Sequence, residues 1–115
     1  MQPLIHQASL YGLQTPIRGS GIVLGQTVEL IQHPEDKLAV FVTLPSRWPF
    51  GLGKSRRQHL GYLHPEATGI LLPAIARATP LRMRIVEIEP AHARIDGVDR
   101  VCISVWGDPA HLKPL

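Results

Sequence analysis

The chain has 115 residues, 44% of them hydrophobic and 18% charged, with a formal charge of +3; that suits one folded domain and is too apolar for a disordered tail. No apolar stretch reaches the ~20 residues of a membrane helix, and the start, Met1-Gln2-Pro3-Leu4-Ile5-His6, lacks a basic-then-apolar signal pattern. The single cysteine, Cys102, excludes an internal disulfide framework and any multi-cysteine metal site. A soluble, cytoplasmic, single-domain protein over residues 1–115 is expected.

In chain order, Gly21 to Ile31 and Leu38 to Leu44 are rich in Val, Ile and Thr, and His33-Pro34-Glu35-Asp36 supplies turn chemistry between them. They read as neighbouring strands with a tight connection. Gln58 to Leu63 is a further short strand. The period then changes, with Pro65 early in a helix and Glu66 in its first turn. The helix is predicted over Pro65 to Ala78, with Ile70, Leu71, Ala74 and Ile75 on one side. Pro73 predicts a kink or a break into two short helices, and Thr79-Pro80 ends the segment. Alternation in Leu81-Arg82-Met83-Arg84-Ile85 and in Val101-Cys102-Ile103-Ser104-Val105-Trp106 gives two half-buried strands, joined through a turn around Asp96-Gly97. Cys102 suits a small buried hydrophobe, and Tyr11 and Trp106 read as core. Five or six short strands with one inserted helix predict a mainly β fold, a small OB-like antiparallel barrel, and not a doubly wound parallel sheet.

The positive charge is concentrated. Arg47, Lys54, Arg56 and Arg57 lie between Pro45 and His59 with no acidic residue among them, leaving 8 of the 12 basic residues against all 9 acidic ones elsewhere. Residues 45–58 read as a basic loop insertion that attracts polyanions. Trp48 and Phe50 are interleaved with these cations, the combination a single-strand site needs: charge for phosphates and flat rings on which bases stack. The alternatives are that the cations serve solubility and that Trp48 and Phe50 anchor the loop to the barrel.

Gly25-Gln26-Thr27-Val28-Glu29-Leu30, then His33-Pro34-Glu35-Asp36-Lys37-Leu38-Ala39-Val40, and later Leu60-Gly61-Tyr62-Leu63 follow in the order of three motifs of one family. These are G-x-x-V-x-L, N-P-Y-D-x-N-A-[VI] and [IV]-G-[YH]-[LV]. Ala67 to Ile75, with Leu71-Leu72-Pro73, and Val105-Trp106-Gly107 extend the likeness. The chain resembles the HIRAN domain over roughly Gly21 to Gly107. The resemblance implies a modified OB-like barrel that binds single-stranded DNA at a strand end, with Asp36 and Tyr62 at the positions that line or border the end pocket. His33, Glu35 and Leu38 stand where the family has asparagine, tyrosine and asparagine. Before the first motif only Arg18 is placed to take part.

Catalytic readings fail on spacing. Gly53-Lys54-Ser55 ends like a phosphate-binding loop, but the glycine required five residues earlier is Trp48. The six histidines form no H-x-H or H-x-x-x-H pair. No nucleophile–base pair or poised carboxylate pair is evident, and no cofactor is expected. The expected function is non-enzymatic recognition of single-stranded DNA or RNA through Arg18, Asp36, Arg47, Trp48, Lys54, Arg56, Arg57 and Tyr62. The chemistry would be left to a helicase, translocase or nuclease partner. The alternative is a protein-interaction or assembly module that keeps the barrel without the DNA-end pocket.

Overall fold

The computed structural model describes residues 2–14, 21–44 and 56–112, with the side chains of Arg56 and Ala93 outside that description. Its elements are β1 (Gln2–Tyr11), β2 (Thr27–His33), β3 (Lys37–Leu44), β4 (Arg56–Leu63), α1 (Pro65–Ala76), β5 (Arg82–Glu89) and β6 (Arg100–Gly107). The strands form a closed antiparallel barrel in the order β1-β4-β3-β2-β5-β6. The expected small barrel with one inserted helix is the observed architecture.

Alternation builds the interior. Leu38, Val40, Val42 and Leu44 of β3 are buried, as are Val28, Leu60, Leu63, Met83, Ile85, Val101, Ile103 and Val105. Each such side chain contributes about 1.5–3 kcal/mol relative to its exposed state. Cys102 is fully buried, as expected. Ala67 and Leu71 of α1 join the same cluster, so the helix packs against the barrel interior.

Several boundaries and faces differ from the sequence reading. β2 begins at Thr27, not Gly21. β4 begins at Arg56, because β3 runs on to Leu44 and its backbone needs partners: Leu44, Thr43 and Val42 pair with Arg56, Arg57 and Gln58. The expected insertion over 45–58 therefore loses its last three residues to a strand. β1 was not expected; its pairing with β6 is interrupted by two register shifts, which hide its alternation.

α1 is a single 12-residue helix that runs through Pro73 without a break. His64 caps its start by accepting the Glu66 N–H at Nδ1, 3.2 Å. It ends at Ala78 in the left-handed region (φ 53°), with the Thr79 N–H donating to the Ala74 carbonyl at 3.2 Å. Its buried face is Ala67, Thr68, Leu71 and Ala74. Ile70, expected on that face, is exposed, since it lies a quarter-turn from Leu71, away from the barrel. Among the described residues no helix is long and apolar enough to cross a membrane.

Candidate nucleic-acid interface

On β3 Lys37, Phe41 and Thr43 alternate with the interior residues and face out, while Ala39, of the same parity, is fully covered. Their partners on β2 are His33, Ile31 and Glu29, opposite Lys37, Ala39 and Phe41. On β4, Arg57 lies opposite Thr43 and His59 opposite Phe41, so both face out. A register shift follows: Val40 pairs with Gly61 and Ala39 with Tyr62. The extra residue at Leu60 makes a β-bulge that rephases the strand, so His59 and Tyr62, three apart, share the outer face. Gly61 is required at the bulge because a Cβ there would lie 2.8 Å from the Tyr11 carbonyl oxygen. His59 Nε2 sits 3.0 Å from the Gly61 carbonyl oxygen, which holds the imidazole across the bulge.

The result is a strip of rings across four strands. Phe41 and His59 stack at 4.9 Å between centroids, and His59 meets Tyr62 edge-on at 5.0 Å. His33 stacks on His59 at 6.2 Å and meets Tyr62 edge-on at 6.0 Å. Tyr11, at the end of β1, lies 5.7 Å from Tyr62. The Arg57 guanidinium lies 5.1 Å from the Phe41 centroid and the Lys37 ammonium 5.6 Å from that of Tyr62. Tyr11, expected in the core, is 38% exposed; Trp106 of β6, likewise expected there, is 42% exposed. Both face out because Leu10 and Val105 beside them face in.

Both cations of the strip have carboxylate partners. Arg57 pairs with Glu29 at 2.9 Å and Lys37 with Glu35 at 3.6 Å. All four side chains are about half exposed or more, so each pair is worth ~0–1 kcal/mol. Arg57 can therefore leave the Phe41 ring at small cost.

No family model, curated protein or solved structure matches this chain.

Asp36 and Tyr62 are brought to the same end of the β3–β4 hairpin. Glu35 and Asp36 both adopt left-handed backbone (φ 68° and 56°) in the three-residue turn between β2 and β3. This turn borders a cleft of about 330 Å³ together with Tyr11, Lys37 and the first turns of α1 at Pro65, Thr68 and Gly69. Tyr11 is the link, lining the cleft and resting against Tyr62. Arg57 stands at the other end: with Thr43 as its partner, six residues from Lys37, it is about 20 Å along the strand from the acidic turn. Arg57 and Asp36 therefore share the outer wall but stand at its two ends. Arg18, Arg47, Trp48, Phe50 and Lys54 lie outside the described residues, as does the Arg56 side chain.

Sequence reasoning missed Phe41, His59, His33 and Tyr11 as members of the strip. Phe41 lies within the unbroken apolar run Leu38 to Val42, which does not mark it as outward; His59 and Tyr62 look out of phase until the bulge is known. Among the described residues no three His, Cys, Asp or Glu side chains form a metal-binding group. The ionisable groups with displaced equilibria lie on the β5–β6 hairpin. There the Arg94 guanidinium, with help from the Val98 N–H, holds the Asp96 carboxyl well below the usual carboxylate range. A hydrogen bond with Glu89, then desolvation, pushes Glu87 up.

Proposed function

We propose that this chain is a HIRAN-like, non-enzymatic binding module for single-stranded nucleic acid, acting with a helicase, translocase or nuclease that performs the chemistry. The observation that carries the reading is the ring strip from Phe41 through His59 and Tyr62 to Tyr11, ending at the cleft beside Asp36. Flat rings at successive positions on the outside of a small barrel suit base stacking with little sequence preference. Asp36 beside the cleft is an acceptor for a terminal sugar hydroxyl, and its charge disfavours a terminal phosphate. Arg18, Arg47, Trp48, Lys54 and Arg56 belong to the proposal as an additional electrostatic and stacking arm.

The test is fluorescence anisotropy with labelled oligothymidylate carrying a free or phosphorylated 3′ end. Phe41→Ala and Tyr62→Ala are each expected to weaken binding by about 1–3 kcal/mol, and Asp36→Asn to narrow the preference for a free end. Wild-type affinity in both ring variants overturns the strip as the site. A second reading, an assembly module, is favoured by one observation: Lys37 and Arg57 are both matched by carboxylates. Absence of strand binding by the wild type at low salt selects it.

A further inference from the structure

A single strand held by its bases still presents phosphates that need cations. The ring strip offers little net charge, because Glu29 and Glu35 match Arg57 and Lys37, and Asp36 adds a further negative charge. Elsewhere Arg94 and Arg100 also face carboxylates, at 2.8 and 3.7 Å. Arg82 and Arg84 do not: among the described residues neither has an ion-pair partner.

Their position continues the outer wall. Arg57 lies opposite Thr43, Thr27 opposite Arg84, and Arg82 opposite Trp106. The pairing of Val28 with Val42 makes Thr27 and Thr43 cross-strand neighbours. All six side chains are exposed, while Val28, Val42, Met83 and Val105 between them are buried. An outward belt therefore runs from Arg57 across β3 and β2 to Arg84, then to Arg82 and Trp106. Strand spacing puts Arg84 about 14 Å from Arg57, and Arg82 about 7 Å beyond Arg84 along β5. Threonine hydroxyls along the way are neutral donors for phosphate oxygens. Trp106 adds an exposed ring between the belt and Pro3 of β1, its partner on the other side.

We propose that Arg82, Arg84 and Trp106 form a second arm of the interface, which holds the phosphodiester backbone of the strand whose bases lie on the ring strip. The proposal rests on the reading of that strip as a single-strand site. Two unmatched guanidinium groups on one strand face, with an exposed indole opposite one of them, fit an extended polyanion that also carries stacking surfaces.

The experiment measures oligothymidylate affinity against salt concentration. Each phosphate contact contributes about −0.7 to the log–log slope on single strands, so Arg82→Ala/Arg84→Ala is expected to reduce the slope by about 1.4. Arg82→Lys/Arg84→Lys should restore most of it, and Trp106→Leu should weaken binding about tenfold with the slope unchanged. Thermal midpoints of all variants show whether the barrel is intact. A wild-type slope in the Ala pair, while Tyr62→Ala loses affinity, overturns the second arm and leaves the strip standing. No binding by the wild type overturns both. Displacement of the strand by polyglutamate as effectively as by unlabelled oligothymidylate overturns the nucleic-acid assignment in favour of an acidic protein partner.

Discussion

Replacing Gly61 by alanine tests the bulge that brings the rings together. A Cβ at that position would lie 2.8 Å from the Tyr11 carbonyl oxygen, 3.2 Å from Leu13 Cδ2 and 3.4 Å from Leu13 Cα. Two of these are backbone atoms, so a rotamer change cannot relieve the contact. The end of β1 must move by about 0.6 Å or more to reach ordinary van der Waals distance. Overpacking of this kind costs about 1–3 kcal/mol, and for a domain of this size that lowers the melting temperature by about 5–15 °C. The displaced segment carries Tyr11 and the Gln14 N–H, which donates to the Leu60 carbonyl at 2.8 Å, so ring packing between Tyr11 and Tyr62 should loosen too. Gly69→Ala is the control. It sits in α1 with nothing within 4 Å of the added carbon and should stabilise the protein by about 0.5–1 kcal/mol through helix propensity. Thermal unfolding followed by circular dichroism, with strand affinity measured in parallel, reads both. A Gly61→Ala protein that melts and binds like the wild type refutes the account of the bulge.

Ala78 ends α1 in left-handed backbone (φ 53°), a conformation that costs a non-glycine residue about 1 kcal/mol; Ala78→Gly should raise the melting temperature by a few degrees, whereas a fall would mean that its methyl group matters more than its backbone. Asp96 accepts hydrogen bonds from Arg94 and from the Val98 N–H, and its carboxyl is held below its unfolded value. The stabilisation it gives is therefore present above the unfolded pKa near 4 and fades as pH falls through the lower folded value. Asp96→Asn should lower the melting temperature by a constant amount between pH 5 and pH 7, and the difference from wild type should shrink in strong acid; a pH-independent difference would contradict this.

How far the sequence led differs by element. Met83, Ile85, Ile103 and Val105 alternate with exposed or polar residues, so β5 and β6 were readable, and with them the outward placement of Arg82 and Arg84. The His33–Asp36 turn and α1 carried proline and acidic signals at the right positions. β1 was illegible because bulges break its period, and because its partners are nearly a hundred residues away. The ring strip was illegible for a related reason. His59 and Tyr62 are three apart, a spacing that suits a helix face, and only the bulge at Leu60 and Gly61 places them side by side on a strand. Tyr11 and Trp106 read as core in the sequence, whereas the parity of each strand decides the matter: Leu10 and Val105 already occupy the inward positions.

The closing stave of the barrel is the one made first. β1 pairs along most of its length with β6 and touches β4 only through Leu10 and Tyr11. During synthesis its edge toward β6 must wait until Arg100 to Gly107 have left the ribosome, so closure is a long-range event and a slow one. Tyr11 meets Tyr62 through the short β1–β4 pairing at the other edge. A chain caught with the β1–β6 seam open would keep most of its sheet, with β1 tethered to it only through Leu10 and Tyr11.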